Sequence, residues 1–105
     1  MLAKIQGCVR LERLLYTKHA RNEMEFEELG QIREEEVFEL VTRGKIIEDY
    51  PEDEPYPSCL IFGRTSGSRP LHIVCAYAAE DDVVIIITVY EPRAARWVGF
   101  ERRLE

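Results

Sequence analysis

The sequence predicts an α+β domain in which N-terminal helices pack on a four-stranded antiparallel β-meander, followed by a C-terminal helix or arm. Three observations predict it. Apolar residues recur at three- and four-residue intervals as far as Gly44 and at two-residue intervals from Ile46 onward, so helical and strand periodicities are segregated along the chain. Gly30, Gly44, Pro51 and Pro92 punctuate those stretches. A length of 105 residues, 46% hydrophobic and 32% charged, suits one packed core and excludes the disordered and low-complexity classes.

Ile5, Cys8 and Val9, with Leu14 and Leu15 beyond them, predict a short amphipathic helix over about 2–13, which Gly7 weakens. Thr17 is the N-cap of a second helix, with Ala20 and Met24 on one face, Leu29 five residues further on, and Gly30 as its stop. A third runs over about 33–43: Val37, Leu40 and Val41 form its stripe, Glu34, Glu35 and Glu36 suit its positive end, and Gly44 terminates it. Residues 46–50 begin the sheet, an acidic loop bounded by Pro51 and Pro57 follows, and 58–64, 70–78 and 83–90 complete the meander. The last strand is apolar on both faces, as a central strand would be. Residues 92–105 form the terminal helix or arm that lays Trp97 on the sheet. The whole chain, 1–105, is one domain: helices over about 2–44, sheet over about 46–91, tail over 92–105.

Net charge is −6, the wrong sign for a protein that coats nucleic acid by charge alone. Its distribution is uneven. Residues 22–54 carry thirteen acidic and three basic side chains, whereas 1–21 carry five basic and one acidic, leaving room for a local basic face on the first helix, the 63–69 hairpin and the tail. No apolar stretch approaches the roughly 20 residues of a membrane span, and the N-terminus turns polar before a signal-peptide core could form. A cytoplasmic protein without membrane association is expected. Cys8, Cys59 and Cys75 are odd in number and widely spaced, so reduced, buried thiols are expected rather than disulfides or a zinc ribbon. The acidic loop lacks the glycine and alternating oxygen ligands of a calcium loop. Neither a metal nor a cofactor is expected.

Three places hold groups suited to chemistry. Lys18, His19 and Arg21 share the first turn of a helix, where free N–H groups favour an anion; the competing reading is that Thr17 caps, His19 bonds a backbone carbonyl and the cations are solvated. His72 lies on a strand, facing with Val74 and Ala76 and away from Cys75, which argues against a metal pair. It suits a general acid or base, or equally a satisfied histidine at the core's edge. Tyr90 can donate to a phosphate or sit amphipathically at the sheet rim, and Trp97 serves as core or as a base-stacking platform. Cleavage at a ribose needs a base, an acid and cations for the phosphate; His19, His72 and Tyr90 with Lys18, Arg21, Arg64, Arg69 and Arg93 supply those types without a diagnostic spacing.

Taken in order, Tyr16-Thr17-Lys18-His19-Ala20, Arg69-Pro70-Leu71-His72-Ile73-Val74 and Thr88-Val89-Tyr90-Glu91-Pro92 with Trp97 resemble the bacterial and archaeal family of the domain of unknown function DUF4258. That family looks related to the RelE/ParE-like toxins. The resemblance implies a RelE-like fold, either ribosome-dependent or free endoribonuclease activity or gyrase inhibition, and a co-encoded antitoxin, often beside a zinc-finger type protein. It aligns His19 with the T-x-H-A histidine, His72 with the P-L-H histidine and Tyr90 with the Y-x-P tyrosine. The chain departs from it in charge, since RelE-type nucleases are usually basic, and in Arg93, where the family is commonly acidic.

Two functions follow as expectations. The first is the toxin of a toxin–antitoxin pair, a metal-independent endoribonuclease on mRNA or at the ribosome, with His19, His72 and Tyr90 catalytic and Lys18, Arg21, Arg64, Arg69, Arg93 and Trp97 binding substrate. The second is a non-catalytic module that binds a protein partner or forms a homodimer through its sheet. Convergence of His19, His72 and Tyr90 in one cleft lined by Lys18 or Arg69 would favour the first, and divergence the second.

Overall fold

A computed structural model describes residues 1–104. Its elements run α1 (Leu2–Arg10), β1 (Leu14–Tyr16), α2 (Lys18–Phe26), α3 (Glu34–Arg43), β2 (Lys45–Tyr50), β3 (Ser58–Arg64), β4 (Pro70–Ala78), β5 (Val83–Tyr90), a 3₁₀ turn (Ala94–Arg96), β6 (Trp97–Val98) and β7 (Arg102–Arg103). The architecture is mixed α+β with three helices.

The main sheet has five strands in the order β1-β5-β4-β3-β2. β2 to β5 form the expected antiparallel succession, but the four-stranded meander is incomplete: β1 adds a parallel strand, pairing Leu14 with Val84 and Tyr16 with Ile86. Three residues are too few for a periodicity of two to be visible, and Leu14 and Leu15 instead prolong the apolar spacing of the preceding helix. With β1 on one side and β4 on the other, β5 is central, which accounts for its two apolar faces.

The helices cover one face. Ile5, Cys8 and Val9 of α1, Ala20 and Met24 of α2, and Val37, Leu40 and Val41 of α3 bury against Ile61, Leu71, Ile73, Val84, Ile86 and Val89. The α3–β2 connection lies hard on β3: a Cβ at Gly44 would stand 2.6 Å from both the Leu40 carbonyl oxygen and Ile61 Cγ2. α2 ends at Phe26 rather than at Gly30, because Glu27 takes extended backbone angles. Leu29 is therefore exposed instead of joining the core.

β5 runs past the end of β1, so Val89 and Glu91 face α2 with no strand neighbour there. Glu23 and Glu27 of α2 accept from their backbone N–H groups at 3.0 and 2.9 Å. Unpaired buried N–H groups are costly, and these two carboxylates remove that cost while fixing α2 on the sheet.

The other face carries Leu60, Phe62, His72 and Ala76, all buried. Over its end folds the tail. It is an arm that buries Trp97, but a β6–β7 hairpin rather than a helix, because Gly99 and Phe100 both adopt positive φ, of 58° and 63°. Arg103 grips Glu48 of β2 through two hydrogen bonds of 2.8 and 3.0 Å, closing the arm over the sheet. No described helix is long and apolar enough to cross a membrane.

Candidate functional site

The arm and the sheet meet at His72. Its register partner on β5 is Tyr90, which places both side chains on the face opposite the helices. Tyr90 Oη lies 3.0 Å from His72 Nδ1, and the Phe100 carbonyl oxygen 2.6 Å from Nε2. A carbonyl can only accept, so Nε2 carries the proton in the neutral ring and Nδ1 accepts from the Tyr90 hydroxyl. The imidazole has no solvent exposure and stands edge-on to Trp97, 4.3 Å between ring centroids. Burial holds its pKa below the ordinary histidine value, with the Phe100 carbonyl pulling the other way. Burial also raises the Tyr90 phenol above its ordinary value, so it remains protonated near neutrality. The pair joins the arm to the sheet, and His72 presents no free nitrogen to a ligand. Of the two readings open for His72, the satisfied histidine matches this geometry; the expected facing of His72 with Val74 and Ala76, away from Cys75, also holds.

His19 does not reach this place. It sits on α2, on the helix-covered side, with Nε2 3.2 Å from Glu23, the carboxylate that also accepts from Val89 N–H. Burial raises the Glu23 pKa, opposed by that backbone bond. Thr17 caps α2 by accepting from Ala20 N–H at 3.0 Å, and its hydroxyl donates to the Ile87 carbonyl at 3.1 Å. Lys18 is exposed, and no hydrogen bond or ion pair engages it among the described residues.

The arginines expected at a phosphate are turned to protein groups. Arg69 is the most enclosed: it donates to Glu91 at 2.6 Å, to Glu36 at 3.3 Å, and to the carbonyls of Gln31 and Gly30. Glu36 also accepts from Arg33 N–H, capping α3, so one carboxylate joins the helix start to Arg69, the residue before β4. Arg21 pairs with Glu34 and lies over the Tyr16 ring, and Arg64 lies over Phe100. Within the expected local basic face, Arg69, Arg93 and Arg103 are paired with carboxylates of the acidic segment, whereas Arg64 donates to the Ser68 carbonyl.

A cleft of about 850 Å³ lies beside Tyr90 and Trp97, bordered by Arg93, Arg96 and Arg103. Arg93 contacts Glu27 and Glu28, yet its Nη1 is enclosed with no hydrogen-bond partner among the described residues. Of the expected site residues, Tyr90, Arg93 and Trp97 line this cleft and His72 lies buried behind Tyr90 and Trp97; His19, Lys18, Arg21, Arg64 and Arg69 lie elsewhere. Arg103 went unforeseen, although it stacks on Trp97 at 4.8 Å and fixes the arm. Nothing local distinguishes it, since its partner Glu48 is 55 residues away.

Among the described residues no three His, Cys, Asp or Glu side chains are grouped to hold a metal ion, and the three cysteines are free and buried. A family model described as "Domain of unknown function (DUF4258)" matches residues 16–91. No curated protein and no solved structure matches the chain.

Proposed function

Since the chain belongs to the family of the domain of unknown function DUF4258, whose description carries no activity, we propose that it is a non-catalytic protein-interaction domain. One observation carries the reading: His72 is sealed, with both ring nitrogens bonded to protein groups and no exposure. A general acid or base must come within hydrogen-bond reach of substrate, and this imidazole has no nitrogen left to offer. The carboxylates support the reading from the other side. Glu34 pairs with Arg21, Glu36 and Glu91 with Arg69, and Glu27 and Glu28 with Arg93, so at three of the cations expected to clamp a phosphate the surface favours cationic polypeptide over RNA. In the toxin-like setting that the resemblance implies, such a partner would be the co-encoded antitoxin.

A second reading, the metal-independent endoribonuclease, is favoured by the cleft where Tyr90 stands with Arg93, Arg96 and Arg103 and where Arg93 Nη1 lacks a partner. Titrating the purified chain with a labelled single-stranded RNA and, separately, with a labelled lysine-rich peptide of equal length separates the two. Binding of the peptide alone supports the interaction domain. RNA binding that Arg93→Gln and Arg103→Gln weaken supports the nuclease.

A further inference from the structure

Away from the arm, an apolar groove of about 390 Å³ opens where α1, β1 and α3 meet. Val9, Leu14, Tyr16 and Phe38 line it, and Glu12, Glu34, Glu35 and Glu39 stand around them. Phe38 is 44% exposed, an unusual position for a phenylalanine on a helix whose other apolar face is fully packed. A second depression, of about 620 Å³ between α2 and α3, shares Glu34 and Glu35 and extends the groove along the surface. The rim's cations are Arg21, which reaches Glu34 at 3.3 Å and lies 4.6 Å over the Tyr16 ring, and Arg33, which reaches Glu35 at 3.9 Å, both ion pairs in solvent. Exposed pairs of this kind exchange readily with an incoming cation. Burial first, with Glu34 adding to it and Arg21 opposing, pushes the Tyr16 phenol up to about 12, so it stays a neutral hydroxyl at the floor.

β1 contributes more than a wall. It is the edge strand, and Arg13 and Thr17 on either side of it bond to β5, so by alternation Leu14 and Tyr16 turn their backbone groups to the open edge. An extended segment alongside could pair with that backbone while laying alternate side chains on Phe38 and Leu14.

We propose that this groove is the docking site for an extended, cationic and apolar segment of a partner protein, its apolar side chains on Leu14, Tyr16 and Phe38 and its lysines or arginines at Glu12, Glu34 and Glu35. The proposal rests on the interaction-domain reading and locates its contact. Charge complementarity selects the occupant: a second copy of this chain would bring the same four glutamates against themselves, and RNA would meet them with phosphates.

The test uses a fluorescein-labelled decapeptide alternating lysine with leucine and valine, titrated into the full chain and followed by anisotropy. Phe38→Ala is expected to weaken binding about tenfold, as loss of a central apolar anchor does. Glu12→Gln with Glu35→Gln is expected to weaken it about threefold to tenfold, and added salt should weaken it further. Glu52→Gln with Glu54→Gln, the same charge change in the proline loop, should leave it within about twofold. Equal weakening by both charge pairs, or indifference to Phe38→Ala, overturns the groove while leaving the interaction-domain reading standing. Sedimentation showing a dimer that Phe38→Ala dissociates overturns the occupant. Peptide indifference together with RNA cleavage by the same protein overturns the reading itself.

Discussion

The Tyr90 hydroxyl donates to His72 Nδ1 at 3.0 Å while His72 Nε2–H donates to the Phe100 carbonyl, so one imidazole ties the central strand to the C-terminal arm. The imidazole that makes both bonds has no solvent exposure. His72→Ala should cost about 2–4 kcal/mol in urea unfolding, combining an unfilled volume with two orphaned groups. Tyr90→Phe should cost about 1 kcal/mol. Because the two residues share one bond, the double variant should lose less than the separate losses added together, and strict additivity would deny the coupling.

The depressed His72 pKa makes stability depend on pH. The folded chain keeps the ring neutral, whereas the unfolded chain protonates it below about 6.5. The unfolded state therefore binds more protons in that interval, and stability is full above it and falls as pH drops from 7 towards 5. His72→Gln should flatten this dependence. A slope unchanged by the substitution would assign the titration to another group.

Arg69 is expected to act as a structural tie. Arg69→Ala leaves Glu36, Glu91 and the Gly30 and Gln31 carbonyls without their common donor, and should destabilise by about 3 kcal/mol. Arg21→Ala, which loses an exposed pair, should cost under about 1 kcal/mol. Thermal unfolding of the two variants side by side checks the ranking.

At Gly44, space is the constraint. A methyl group there would overlap the Leu40 carbonyl, Ile61 and the Phe62 carbonyl, two of the three being backbone. Gly44→Ala should destabilise by about 1–3 kcal/mol, whereas Gly7→Ala, with open space around it, should be neutral or stabilising. Denaturant midpoints separate them.

Much of this architecture is legible from spacing. Val37, Leu40 and Val41 sit on the buried face of α3 as their intervals dictate, Thr17 caps α2, and β3, β4 and β5 begin and end at the residues where alternation does. What stays hidden is what only distant residues create. β1 is a strand because β5 lies beside it, and the hairpin that turns at Gly99 and Phe100 is held on the sheet by Glu48 and His72, which bond Arg103 and Phe100. For the site, residue types nominated His19, His72 and Tyr90 as one set with Trp97 among the binding residues; His72, Tyr90 and Trp97 meet, and His19 does not join them. They could not reveal that the arm would close over the histidine, nor that glutamates 20 to 40 positions away would occupy Arg69.

The central claim is that this domain binds protein and cuts no RNA. Mapping RNA 5′ ends in a bacterium before and after induced expression of the full chain tests it most directly. The account predicts the same ends in both samples. New ends that appear with the wild type and vanish with Tyr90→Phe or Arg103→Gln would contradict it.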